Sequence, residues 1–131
     1  MNNQISSPQL WTGRVLSILV ILFMLFDAGI KFAGIPEVTE TTVGQLGFQP
    51  HHILLHGILG FTATLLYAIP RTSVLGAVIL TGYLGGAVAS HVRIDNPLFS
   101  HTLFPVYIGL LAWVGLWMRN GKLREVFPLI S

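Results

Sequence analysis

The sequence predicts an all-α integral membrane protein folded as a four-helix bundle. Three observations carry that fold class. The 131 residues are 53% hydrophobic and 9% charged, with a mean hydropathy of +0.73, whereas a soluble domain carries about 25% charged residues. Four apolar segments of roughly 19 to 22 residues each can be read, close to the ~20 that a helix needs to cross a bilayer. Most of the charged residues lie outside those segments. Hydrocarbon offers no partner to a backbone N–H or C=O, so such segments must be helices. The length fits one domain over residues 1–131.

The first segment covers about 12–33, with core "VLSILVILFMLF". Arg14 lies far from the start, and Ile30, Phe32 and Ala33 prolong the apolar run past Asp27. It therefore reads as a retained span rather than a cleaved leader. A long connection, "GIPEVTETTVGQLGFQP", carries Glu37 and Glu40 and is expected to fold over the mouth of the bundle. The second segment, about 51–69, is stopped by Pro70-Arg71. The tight "PRT" and the short "VRIDN" make segments two, three and four antiparallel neighbours. The third segment covers about 73–91. The fourth covers about 97–118, with Asn96 as the expected N-cap, Pro97 at the first helical position and Pro105 as a kink.

Charge sets the orientation. The side holding the N-terminus, the second connection and the C-terminus carries Arg14, Arg71, Arg119, Lys122 and Arg124; the other carries only Lys31 and Arg93. Five Lys and Arg against two place both termini in the cytoplasm. Trp11, Trp113 and Trp117 suit anchoring near that face. The sequence pI is about 9.4, yet no basic run exists, so no nucleic-acid partner is implied. The chain has no cysteine, which removes disulfides, thiolate metal sites, Fe–S clusters and thiol–disulfide redox chemistry. No HExxH, phosphate loop or dinucleotide fingerprint is present.

This topology gathers the ionisable residues into one outer-leaflet layer. Asp27 and Lys31 lie in the outer third of the first helix, an i,i+4 pair with the acid first, the better orientation. At 1.5 Å per residue, His56 lies roughly 8 Å and His101 roughly 6 Å along their helices from the outer ends. His91 and Arg93 close the third helix. The candidate ligand-binding set is Asp27, Lys31, His56, His91, Arg93 and His101. His51, His52 and Arg93 also suit a plain headgroup-level role, and Tyr83 and Tyr107 suit core or interface positions. Gly82, Gly85, Gly86 and Ala89 form small-residue faces expected to serve helix packing. Imidazoles beside a carboxylate and cations can move protons near neutral pH, and intramembrane charges are costly enough to suggest use. Two histidines could instead hold a haem, the weaker candidate, and three a metal; the spacing does not choose. No metal set is assigned.

The runs "IPRTSVLGAVILTGYLGGAVASHVR" and "NPLFSHTLFPVYIGLLAWVGLWMR", with "FDAGIKF", Pro36, Leu46-Gly47 and "LLYAIPRT", closely resemble the DoxX-like family of small four-helix bacterial membrane proteins. The likeness runs over about residues 12–128. It implies a multi-pass protein of the bacterial cytoplasmic (inner) membrane. Relatives are linked to a thiosulfate:quinone oxidoreductase or quinol oxidase assembly, or to redox complexes that respond to oxidative stress, and many members have no assigned activity. The matching positions are Asp27, Lys31, Gly82, Gly85, Gly86, His91, Arg93, Pro97, His101, Pro105 and Tyr107. Many relatives carry a carboxylate in the second helix where this chain has Gly60, with His56 one turn earlier.

Three functions stay open. One is a subunit of a membrane redox complex with a quinone-type site in the polar layer and a redox protein partner. Another is a non-enzymatic bundle that binds a lipid or small amphiphile. The third is an assembly subunit, with the small face of the third helix available to a homodimer. Whether the chain is an enzyme is left undecided by the sequence.

Overall fold

The computed structural model describes residues 5–127, so the ends of the expected 1–131 domain, residues 1–4 and 128–131, lie outside the described residues. The described residues form helices and turns, without strands. In chain order they are α1 (Ser7–Phe32), α2 (Pro36–Thr39), a π-helical turn (Glu40–Gln45), α3 (His52–Ala68), a 3-10 turn (Pro70–Thr72), α4 (Ser73–Arg93), a second π-helical turn (Leu98–Thr102), α5 (Phe104–Arg119) and α6 (Gly121–Val126).

Each boundary has a local cause. α1 starts five residues before the expected Thr12, because the Ser6 hydroxyl accepts from the Gln9 amide at 3.3 Å and Pro8 sits in the first turn, where a missing N–H costs nothing. It ends at Phe32, with Ala33 as the cap and then Gly34, whose φ of +69° is the left-handed conformation that glycine adopts freely. The "PRT" connection is a single 3-10 turn that delivers α4 straight back against α3.

The fourth segment departs from its expectation. Asn96 is no helix cap: its amide nitrogen meets His91 Nδ1 at 2.7 Å, and its carbonyl accepts from the Thr102 hydroxyl at 3.2 Å. No regular helix starts at Pro97. The chain makes the π turn, and α5 begins only at Phe104, with Pro105 in its first turn. Pro105 thus marks where a helix restarts rather than a bend inside one. α6, which the sequence reading did not foresee, is capped by the Asn120 side chain accepting from Leu123 N at 3.0 Å.

Four long helices pack in a ring: α1 against α3, α3 against α4, α4 against α5, and α5 back against α1. The core between them holds Val20, Met24, Ala63, Tyr67, Ala77, Leu80, Ile108, Ala112 and Leu116. The outside of the ring is apolar too, with Leu22, Phe26, Leu54, Leu75 and Leu110 all exposed. So large an exposed apolar surface marks a membrane environment. Ser7–Phe32, Pro70–Arg93 and Leu98–Arg119 are long and apolar enough to cross a membrane, and His52–Ala68 is apolar but shorter.

Backbone contact between helices is made by glycines other than those expected. A Cβ added at Gly76 would collide with the backbone of Leu66 and Tyr67. One added at Gly13 would lie 2.8 Å from the Gly115 carbonyl, and one at Gly115 would lie 2.8 Å from the Ser17 hydroxyl. At Gly82, Gly85 and Gly86 an added Cβ meets nothing within 4 Å, and Ala89 is exposed. The Gly82–Ala89 face therefore does not bring helices together within this chain. The glycines that do so sit at the ends of the α3–α4 hairpin and of the α1–α5 pair.

Candidate functional site

At the end of the ring away from the 3-10 turn, the helices stand apart around a cavity of about 830 Å³. That is within the usual range for small-molecule sites, roughly 300 to 1,000 Å³. Its walls come from every long helix and from the first connection. Phe23, Met24, Leu59, Phe104 and Ile108 make the lining largely apolar, with Phe23 and Phe104 edge-to-face at 5.3 Å. α2 and the π turn after it supply Glu37, Val38, Thr41 and Thr42, and the following strap adds Leu46 and Phe48. The long connection is thus an ordered wall of the cavity. Its exit uses Gly47 at φ +79°, a conformation that a side chain would strain.

A polar cluster occupies one part of this lining. The Lys31 ammonium donates to the Asp27 carboxylate across one turn of α1. From α4, the Tyr83 hydroxyl donates to the same carboxylate oxygen at 3.2 Å. The Lys31 ammonium also stands 6.0 Å from the centre of the Tyr83 ring, the outer limit of a cation–π contact. One carboxylate therefore ties α1 to α4 across the ring, takes the single Tyr83 O–H, and leaves the Lys31 ammonium with N–H groups to spare beside the cavity. His56 enters from α3, its ring edge-on to Phe48 at 4.6 Å. His91 enters from the last turns of α4, oriented by Asn96.

Four of the six expected ligand-binding residues line this one space: Asp27, Lys31, His56 and His91. Arg93 and His101 do not. Arg93 is exposed and runs beside Gly47, where an added Cβ would meet its guanidinium at 3.5 Å. His101 is exposed, paired with the Ser100 hydroxyl at 2.7 Å, its ring 6.0 Å from that of His91. His51 and His52 stay at the start of α3, and His52 Nδ1 accepts from the Gln49 amide at 3.2 Å. Gly82 and Gly86 do line the cavity, as bare backbone rather than as packing contacts. Among the described residues no group of three or more His, Cys, Asp or Glu is placed to hold a metal ion.

Tyr83 is the residue that sequence reasoning undervalued. The signal was there: Tyr83, Ala87, Ser90 and His91 stand at i, i+4, i+7 and i+8, which is one helical face, and all four line the cavity. Glu37 and Thr41 carried no comparable signal, since nothing local in "PEVTETTVG" indicates which side its short helical turns will show.

The DoxX-like family model matches residues 15–115. The chain belongs to the DoxX-like family. The match runs from within α1 nearly to the end of α5, so every residue that lines the cavity lies within it, as does the whole first connection. No curated protein and no solved structure shows a significant match to the chain. The DoxX-like match identifies a membrane protein family; chemistry at the cavity has to be argued from its residues.

Proposed function

We propose that this DoxX-like protein crosses the bacterial cytoplasmic membrane four times with both termini in the cytoplasm. We further propose that its cavity binds the head group of a quinone-type amphiphile as part of a membrane redox complex. The fourth span is α3. Its 17 residues rise about 26 Å at 1.5 Å per residue, against a hydrocarbon core of about 27 to 30 Å. Flanking His51, His52 and Arg71 suit the two headgroup levels. The five-to-two distribution of Lys and Arg supports the orientation.

The observation that carries the ligand class is the Asp27–Lys31–Tyr83 cluster at the side of an apolar cavity. An oxidised quinone ring presents two carbonyl oxygens, which need donors; the Lys31 ammonium has N–H groups beyond the one that Asp27 takes, whereas the single Tyr83 O–H is committed to Asp27 and holds that carboxylate in place. The reduced ring presents two hydroxyls, which need acceptors; Asp27 is one. Reduction takes two electrons and two protons. A partner redox protein supplies the electrons, and His56 and His91 are the cavity groups suited to passing protons. A second reading, a bundle that binds an amphiphile without redox change, shares the head-group contacts and is favoured by the mainly apolar lining.

The experiment is quinone binding to protein in lipid nanodiscs, alongside a dithionite-reduced minus oxidised difference spectrum of gently purified protein. The expected result is saturable binding that falls at least tenfold in Asp27→Asn, with a quinone difference band in the wild-type preparation alone. Binding that ignores Asp27→Asn and Lys31→Met removes the site. Binding without any difference band under a reducing partner favours the non-redox reading.

A further inference from the structure

Two residues, Leu84 of α4 and Pro105 of α5, line the cavity and also a second concavity of about 240 Å³ on the outside of the ring. The two spaces therefore lie on opposite sides of the α4–α5 seam, with only the side chains of those two residues shared between their walls. The outer one is an apolar groove whose floor includes Gly85, Val88 and Gly109. It lies open for identifiable reasons. α5 starts late, after the π turn, with Pro105 in its first turn. Gly85 and Gly109 also contribute no side chains to the seam: an added Cβ would meet nothing within 4 Å at Gly85, and only Leu84 Cδ1, at 3.7 Å, at Gly109. Farther along the helices, the Trp113 indole N–H donates to the Thr81 hydroxyl at 2.7 Å and bridges the two helices, giving the groove an end.

We infer that the ligand of the cavity is a tailed amphiphile taken from the bilayer through the side of the bundle, its single apolar tail lying in the α4–α5 groove between Gly85 and Gly109. This rests on the head-group reading above and adds the shape of the ligand and its route. The groove faces the lipid side, beside exposed Leu110. Lipid tails are as apolar as the groove, so a tail gains no transfer energy by lying in it. Its work is steric: it gives the tail somewhere to be while the head group reaches Asp27 and Lys31. A tail-less head group does not need it.

The test uses the full chain in nanodiscs and two probes: a benzoquinone with a ten-carbon tail, and the same ring with a methyl group in place of the tail. Gly85→Leu and Gly109→Leu put side chains into the groove and not into the cavity. The expected result is a loss of at least tenfold in affinity for the tailed ring, with the tail-less ring within twofold of wild type. Gly85→Ala, which adds only the Cβ that meets nothing, serves if a leucine variant fails to fold. It should slow association of the tailed ring and leave the melting temperature unchanged. If both probes bind the groove variants as they bind wild type, while Asp27→Asn weakens both, the tail route is wrong and the head-group site stands. If neither probe binds wild type, the head-group reading falls and this inference falls with it.

Discussion

At the end of the bundle that holds Gly13, Ser17, Tyr67, Gly76 and Arg119, helices touch backbone to backbone; at the end that holds Asp27, Tyr83 and His91, the same helices surround about 830 Å³ of space. Both ends contain polar side chains, but the partners differ. In the tight end the Tyr67 hydroxyl donates to the Ala112 carbonyl at 2.7 Å and meets the Ser17 hydroxyl at 3.0 Å. Arg119 Nε donates to that same Ser17 hydroxyl at 2.9 Å, and its guanidinium stacks 5.3 Å from the Tyr67 ring. These bonds join α1, α3 and α5 and are closed on themselves. In the open end Lys31 and Tyr83 converge on one carboxylate with the cavity beside them. A polar group inside a membrane bundle can therefore be a clamp or a binding surface, and what separates the two is whether small residues let the backbones close around it.

The largest effect should come from breaking the tight end. Gly76→Leu forces a side chain into the backbone of Leu66 and Tyr67, which cannot yield as a flexible side chain would. Overpacking usually costs about 1 to 3 kcal/mol and more where backbone must move, so this variant should lose most monodisperse protein on detergent extraction. Gly86→Leu, on the same helix but facing open space, should extract as wild type does. Equal yields for the two would remove the distinction between the ends.

Next is the clamp. Tyr67 is fully buried, and Tyr67→Phe removes a donor to Ala112 and a partner of Ser17. Interhelical hydrogen bonds in membranes average about 0.6 kcal/mol and reach about 1.7, so a loss of about 1 to 2 kcal/mol is expected from the pair. Thermal or denaturant unfolding measures it, and a double-mutant cycle with Ser17→Ala should show coupling, since both act on one network. Additive effects would mean that the hydroxyls do not work together.

How much of this contrast the sequence discloses follows from the range of each signal. Span positions follow from hydropathy, which is local and strong; α3 and α4 fall within two residues of expectation. The gathering of Asp27, Lys31, His56 and His91 followed from antiparallel order and helical rise alone. Glycine roles did not. "GYLGGAVAS" looks like a packing face, and "VLGAV" around Gly76 looks like ordinary apolar sequence. Whether a glycine touches a neighbour depends on how each helix is rotated, and a helix apolar on all sides carries little information about rotation. Pro105 was visible as an interruption, but the π turn that displaces the start of α5 depends on Asn96 being held by His91 and Thr102, a tertiary arrangement. For the same reason Arg93 and His101, at the right depth, turn out to lie outside the cavity.

The open end should respond in binding rather than in stability. Tyr83→Phe deletes the hydroxyl that reaches Asp27 and keeps the ring against Gly60. Without that hydroxyl the Asp27 carboxylate loses its tether to α4, so affinity for the quinone head group should fall several-fold. The unfolding transition should move less than it does for Tyr67→Phe. The reverse ordering, with stability lost and affinity kept, would make Tyr83 a second clamp and the cavity incidental.

The smallest effect separates two histidines that sequence reasoning treated alike. His91 lines the cavity and holds Asn96, so His91→Ala removes a cavity group and loosens the turn that leads into α5. A loss of several-fold in head-group affinity is expected, with a small loss of stability. His101 is exposed, pairs with its neighbour Ser100 and reaches the site only through a ring 6.0 Å from His91. Exposed substitutions of this kind usually stay within about 0.5 kcal/mol, so His101→Ala should leave both affinity and melting temperature where they were. Measured side by side by titration in nanodiscs, the two variants show how sharply the cavity wall is drawn. If His101→Ala costs as much affinity as His91→Ala, the binding surface extends past the described cavity onto the outer face of the π turn. The open end would then bind its ligand over a wider surface than the cavity alone.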